Sequence, residues 1–339
     1  MPTIRDIAEL AGVSPTTVSF VLNGKAQEKK ISSSTCARIE QAMNQLGYVP
    51  NLSARRLRSS DESKPIIALF WPFDYRINAM ASLINAIQVE LRRRTFACEF
   101  VVQSYENNNI AGISSTFIKG EYSAAIMGGL GPEDLKFLES VPLTIPVVLI
   151  NRSLEKVSTV GVNNRSLVNK CISFLEEKGY QRISVACSRN FYYATNQRTT
   201  MFLNGCAKRG IQVPEEWILR TENRIDGGIR AAQRLASLSP RPRFVFCDSD
   251  AIAYGLVSYC NRHNIRIPEN LEVLCVGSIL DNSYTAYATP SISTVALPHS
   301  RIAASAISLI IDSLAFRSNK PQHILIEPDI FLRDSFRLD

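Results

Sequence analysis

The side chains able to do chemistry in this chain are spaced for binding rather than for turnover. Its three histidines, His263, His299 and His323, are isolated from one another, so no metal-ligand spacing forms. Its eight cysteines include no C-x-x-C pair. Cys187, Cys247 and Cys275 sit in apolar runs and read as buried, reduced thiols. The glycines of "GGLGPED" (128–134) do not form a phosphate-cradling pattern. Nor does the chain carry G-x-G-x-x-G after a strand, G-x-x-x-x-G-K-[ST] or G-x-S-x-G. Carboxylates are abundant, but no pair stands out. The expectation is a protein without metal, cofactor or catalytic residues. What invites chemistry instead is "SPTTVSFVLNG" (14–24), a short helix with Ser14 as N-cap and Pro15 at its first position. Val18, Val21 and Leu22 form one apolar stripe. At about 100° per residue, Thr16, Ser19, Phe20 and Asn23 fall on the opposite face. A phenylalanine on a polar face either packs on a neighbour or reaches for a partner.

The elements around that helix define a small head. Thr3 and Asp6 in "TIRD" can cap a first helix carrying Ile4, Ile7, Ala8 and Ala11, which stops at Gly12. The Ser14 helix starts so soon afterwards that the pair reads as a helix-turn-helix. Ser32 or Thr35 can start a third helix with Ile39, Ala42, Met43 and Leu46 on one side, ended by Gly47. Pro50 then breaks the chain, Asn51 can cap a short helix beside Arg55, Arg56 and Arg58, and "SSDESKP" reads as a linker. Residues 1–60 carry eight Lys/Arg against four Asp/Glu, whereas the remaining 279 residues add only +3 to the net +7. A basic segment on a nearly neutral body suggests an attached binder of something anionic, although a merely solvated basic surface would look the same.

From residue 65 the pattern changes. Apolar runs such as "IIALFW" (66–71), "CEFVVQ" (98–103), "AAIMG" (124–128), "VVLIN" (147–151), "ISVAC" (183–187), "FVFC" (244–247) and "VLCVG" (273–277) alternate with amphipathic, helix-length stretches. Repeated β-α units with doubly buried strands predict parallel sheets covered by helices, and about 270 residues fit two similar lobes with a cleft between them. The expected fold is an all-α helix-turn-helix domain (1–50), a hinge helix and linker (51–64) and an α/β two-lobed body (65–339). No apolar run approaches the roughly 20 residues of a membrane span, and "MPTIRDIAEL" has no apolar signal region, so a cytoplasmic protein is expected.

With these parts in order, the sequence resembles the lactose-repressor (LacI) family of bacterial transcription regulators, whose body is periplasmic-binding-protein-like. The head carries the resemblance in "TIRDIAELAGVSPTTVSFVLNGK" and "LGYVPNLSARRLR"; "QRTTMFLNGCAKRGI" (197–211), "VFCDSDAIAYG" (245–255) and "TPSISTV" (289–295) continue it. The resemblance implies that the second helix enters the DNA major groove. Pro15, Thr16, Ser19 and Phe20 would then face bases, and Ser14 and Thr17 phosphates. Thr3, Asn23 and Tyr48 complete the head's expected DNA contacts. Phe20 stands where many relatives have a basic or polar side chain. An aromatic cannot donate to guanine but can touch a thymine methyl, so a T·A or A·T preference is expected at one operator position. Folding back onto the bundle or hinge is the alternative. Leu57 matches the family's minor-groove wedge, with Asn51 and Ala54 in register and Arg55 among the arginines on phosphates. Leu57 could equally anchor the head on the body.

For the body, the resemblance implies a ligand cleft. Arg198 would bond ligand hydroxyls or an anionic group, with Phe202 as a stacking face. Asp250 would lie at the cleft edge or cap a helix, and Asn151 and Arg152 follow the fourth strand. Asn78, Ser249 and Asp281 complete the expected set. Two departures stand out: Ser249 replaces the family's frequent Asn, and "VGSILDN" puts Ile279 and Leu280 where many relatives carry a Gly-aromatic-Asp-Asp turn. Asp281 could substitute after a one-residue shift. A sugar or sugar derivative is the first expectation for the effector; a phosphorylated or acidic ligand, or none, is the alternative. The chain ends at "FLRDSFRLD", without the leucine-rich tail through which some relatives form tetramers, so a homodimer on a palindromic DNA operator is expected. The function implied is repression of carbohydrate-metabolism genes. A ligand-indifferent, architectural DNA binder and a solute-binding protein of the same body fold are the competing readings.

Overall fold

A computed structural model describes residues 3–22, 26–46, 64–73, 77–118, 120–189, 193–278, 284–316 and 320–338. In the head, α1 (Ile4–Ala11) is closed at its start by a capping box. Thr3 Oγ1 accepts the Asp6 N–H at 3.3 Å, and Asp6 Oδ2 accepts the Thr3 N–H at 2.6 Å. Gly12 ends the helix at φ 63°, the left-handed conformation a glycine adopts without a Cβ penalty. Helix α2 (Pro15–Leu22) begins at Ser14, whose Oγ accepts the Thr17 N–H at 3.0 Å. Ser32 does the same for α3 (Ser33–Leu46), accepting the Thr35 N–H at 3.2 Å. Ile7, Ala8, Ala11, Val18, Ile39 and Ala42 meet in the buried centre of the three helices.

The body has two sheets. Strands β1 (Ile66–Pro72), β2 (Glu99–Tyr105), β3 (Ala124–Met127), β4 (Val147–Ile150) and β5 (Ser158–Val162) are joined by α4 (Ile77–Arg93), a single turn α5 (Ser115–Ile118) and α6 (Pro132–Ser140). After α7 (Asn164–Glu177) the second lobe runs β6 (Ser184–Ser188), α8 (Tyr193–Lys208), β7 (Ile218–Thr221), α9 (Ile225–Ser237), β8 (Phe244–Cys247), α10 (Asp250–Arg262), β9 (Glu272–Ser278), α11 (Tyr284–Tyr287) and β10 (Ser293–Leu297). The chain closes with α12 (His299–Phe316), β11 (His323–Ile326) and β12 (Asp329–Phe331). The first sheet is ordered β11-β5-β4-β3-β1-β2, parallel throughout. The second is β12-β10-β9-β8-β6-β7, parallel except for β12 against β10. Strands β3, β4, β6 and β8 are buried along their whole length, as parallel strands sandwiched by helices must be.

The polypeptide passes between the sheets three times, after β5, after β10 and between β11 and β12. The passages are tied together. The Asn163 N–H donates to the Ile326 carbonyl at 2.8 Å, and Glu327 receives Asn163 Nδ2 at 2.8 Å together with the Ser166 hydroxyl. Arg301 donates to the Glu327 carbonyl at 2.8 Å and pairs with Asp329 at 2.7 Å. The segment "TPSISTV" (289–295) supplies the first three residues of β10, and the crossing itself follows the strand's end at Leu297.

Candidate nucleic-acid interface and ligand cleft

On the head, Ser14, Pro15 and Thr16 are exposed, and Thr17, Ser19 and Phe20 are half-buried. Ser14 Oγ lies 2.8 Å from Thr17 Oγ1, so the two hydroxyls expected at phosphates already form one polar pair at the helix start. Phe20 is not among the side chains packed on the head core, which are Ile4, Val13, Val21, Leu22, Met43 and Leu46. Its ring instead has Lys29 Nζ above it, 5.5 Å from the centroid. Thr3 is exposed and engaged in its capping box. Asn23, Tyr48, Asn51, Ala54, Arg55 and Leu57 lie outside the described residues, as do Ile279, Leu280 and Asp281 and the side chain of Asn78.

In the body, the polar groups gather where parallel strands end, the edge at which open α/β sheets take ligands. Arg198 projects from α8 and is buried, with no hydrogen-bond partner at Nε among the described residues. Burial pushes its pKa down, opposed by the Asp248 charge. Asp248 follows β8. Its Oδ2 accepts the Ser188 N–H at 2.9 Å and the Thr199 hydroxyl at 3.4 Å, but its buried Oδ1 accepts nothing among the described residues. Burial raises this carboxyl to about 6, against the pull of the Ser188 N–H and Arg198. Asn164, at the first passage, also buries an unpartnered Oδ1. His299, at the second passage, is held neutral, pushed down to about 4 by burial and then by the Arg198 charge. Sequence reasoning singled out none of Asp248, Asn164 and His299 for this site. Only the position of Asp248, directly after the apolar "FVFC", hinted at it.

Several expected ligand contacts have other work. Phe202 is a correction: it is fully buried and stacks on Phe246 at 4.1 Å, so it fills the core and offers no face to a ligand. Although four residues from Arg198 on α8, it sits on the inner side of the helix, against β8. Ser249 is the N-cap of α10 and accepts the Ala251 N–H at 3.2 Å. Asp250 also accepts the Ala251 N–H, at 2.8 Å, and receives the Tyr284 hydroxyl, whose pKa is raised by burial and by that carboxylate. Of the two alternatives for position 250, the cap belongs to its neighbour. Asn151 adopts φ 54° and accepts the Val162 N–H at 3.0 Å, which closes β4 onto β5. Arg152 is buried and donates to the carbonyls of Leu130 and Asn151. A separate hollow of about 370 Å³, lined by Leu91, Phe96 and Phe100, lies at the amino end of β2, away from this edge. Among the described residues, no group of three or more His, Cys, Asp or Glu side chains could hold a metal ion, and no helix is long and apolar enough to cross a membrane.

Comparison with known proteins agrees with this architecture. Residues 3–51 match the bacterial regulatory proteins of the lacI family, and residues 172–336 match the periplasmic binding protein-like domain. The HTH-type transcriptional repressor CytR of Escherichia coli (strain K12) is 25% identical over 338 residues, spanning 99% of this chain and 96% of that protein. The crystal structure of a LacI family transcription regulator from Clostridium acetobutylicum superposes with a TM-score of 0.75 at 30% identity, over 80% of this chain and all of that one. The lac repressor dimer bound to operator and the anti-inducer ONPF shares the fold, with a TM-score of 0.68 at 16% identity over 98% of each chain. This chain therefore belongs to the LacI family of bacterial regulatory proteins.

Proposed function

We propose that this DNA-binding transcriptional repressor acts in the cytoplasm as a homodimer, grips a palindromic operator, and releases or tightens on it when a small molecule occupies the cleft. It catalyses no reaction in this reading. The observation that carries the ligand half is the set of buried polar atoms that have no partner among the described residues where strands end: Arg198 Nε, Asp248 Oδ1 and Asn164 Oδ1. A fold that buries such atoms sacrifices stability unless a ligand satisfies them. The lac repressor, similar along nearly the whole chain, was crystallised with both operator and a small molecule. A sugar or sugar derivative is the effector class this reading favours, and carbohydrate-metabolism genes are its targets.

The DNA half rests on α2, whose Ser14, Pro15 and Thr16 stand exposed. In a twofold dimer two such helices enter successive major grooves about 34 Å apart, while Asn51, Ala54, Leu57 and the neighbouring arginines take the minor groove between them. Phe20 stands off the head core, with Lys29 on one side of its ring. It is free to touch a thymine methyl while Lys29 holds a nearby phosphate.

Sequencing the genomic fragments that purified protein retains tests the reading and supplies the operator. Phe20→Ala should then lose about fourfold in affinity, the worth of one buried methyl (~0.8 kcal/mol), on the operator carrying T·A or A·T at the contacted position. It should lose little on the G·C versions. An equal loss on all four base pairs would remove Phe20 as a base reader.

A further inference from the structure

Two opposite charges in the cleft fail to satisfy one another. Arg198 is 7% exposed and Asp248 5%. Each lies close enough for its charge to act on the other, yet no hydrogen bond or ion pair joins them. Asp248 is firmly placed: its backbone N–H donates to the Ala186 carbonyl at 3.1 Å, and its Oδ2 takes the Ser188 N–H. That leaves Oδ1, sealed from solvent, facing no donor among the described residues. An asparagine could accept the same Ser188 N–H without burying a charge, so the strut alone does not explain a carboxylate. Burial keeps the ionised form a net burden even with Arg198 nearby.

The other charged groups described in the cleft are engaged. Arg152 donates to the carbonyls of Leu130 and Asn151. Asp250 holds the Ala251 N–H and Tyr284, and His299 is neutral. Among the described residues, Arg198 and Asp248 are thus the charges left for a ligand.

We infer that Asp248 is a specificity-determining residue of the cleft: Oδ1 accepts a hydrogen bond from a hydroxyl or ammonium group of the ligand while an adjacent ligand oxygen takes the Arg198 guanidinium. The ligand class is a neutral or amino-bearing polyol. A carboxylate or phosphate at that point meets Asp248 as a like charge and is turned away. This rests on the cleft being the effector site, and narrows the effector by excluding the acidic class that Arg198 alone would admit.

The test compares wild type, Asp248→Asn and Arg198→Ala by thermal unfolding at pH 7.5. Each is measured alone and with matched sets of the neutral sugar, amino sugar, uronate and sugar phosphate of several hexoses and pentoses. Without ligand, Asp248→Asn should unfold about 5 °C higher, because at that pH the wild type holds an ionised carboxylate that folding has made weaker as an acid. Neutral or amino members should stabilise the wild type, and Asp248→Asn should bind them about tenfold more weakly while beginning to respond to the uronate or phosphate. A lower melting temperature for Asp248→Asn would make the carboxylate a structural strut and overturn the inference. A wild type that prefers a uronate or phosphate, through Arg198, overturns it too while leaving the cleft as the effector site. Indifference of the wild type to every member would remove the effector reading and this inference with it.

Discussion

Replacing Gly255 by alanine is expected to destabilise the body by about 3 kcal/mol or more, and to lower its unfolding temperature by roughly 6–12 °C. The reason is a backbone-to-backbone crossing of α9 and α10. A Cβ on Gly255 would stand 1.9 Å from the Ile225 carbonyl oxygen, and one on Gly228 would stand 2.1 Å from that of Ile252. The obstructing atoms are main chain, so no rotamer change relieves the contact and one helix has to move. That movement would reach the cleft, because α10 begins at the Ser249 cap and follows directly on Asp248. Gly228→Ala acts on the same contact, so the double variant should cost clearly less than the sum of the two single ones. Differential scanning calorimetry decides the matter; a Gly255→Ala protein melting within a degree of wild type would mean that the helices have room to separate.

What the sequence made legible follows from how each segment is buried. Strands β1, β3, β4, β8 and β9 have helices on both faces and announce themselves as unbroken apolar runs. Strand β5, "STVGV", is just as buried but is built from small and polar residues that also suit loops. Strand β7, "ILRT", is an edge strand with Arg220 exposed, and β11, "HILI", is likewise an edge with two of its four residues exposed. Helix α12 is hard to see in the sequence because its buried Ile302, Ala303, Ala306, Ile307, Leu309 and Ile310 leave little amphipathic contrast.

The starts of the three head helices were legible, since short helices must satisfy their own ends and Thr3, Ser14 and Ser32 do so with side chains the sequence displays. The cleft was not. Phe202 and Arg198 look like one binding face on paper, yet α8 turns the aromatic into the core and leaves the arginine at the strand ends. Asp248 is one acid among many until its burial is known. Nothing in composition distinguishes a carboxylate with an idle, buried oxygen from one on the surface.

The second large effect concerns Arg198. Its guanidinium is buried without a hydrogen bond at Nε, so any ligand oxygen that reaches it forms a charge-assisted bond in a place water does not compete for. Such a bond is worth about 1.5–3 kcal/mol, and its removal in Arg198→Gln should weaken effector binding by roughly 10–150-fold. The head is untouched by that change, so operator affinity without effector should stay within about twofold of wild type, whereas the effector's influence on DNA should vanish at concentrations that saturate the wild type. Closing the lobes would act through the three passages gathered at Asn163, Glu327 and Arg301, which any relative motion of the two sheets must strain.

The most direct measurement is the operator dissociation constant of wild type and Arg198→Gln, taken side by side with and without the compound that stabilises the wild-type cleft. The expected result is a shift of about 5–150-fold in the wild type, corresponding to a coupling of about 1–3 kcal/mol, and none in the variant. Equal shifts in both proteins, or loss of operator binding by the variant without any compound, would contradict an effector cleft centred on Arg198.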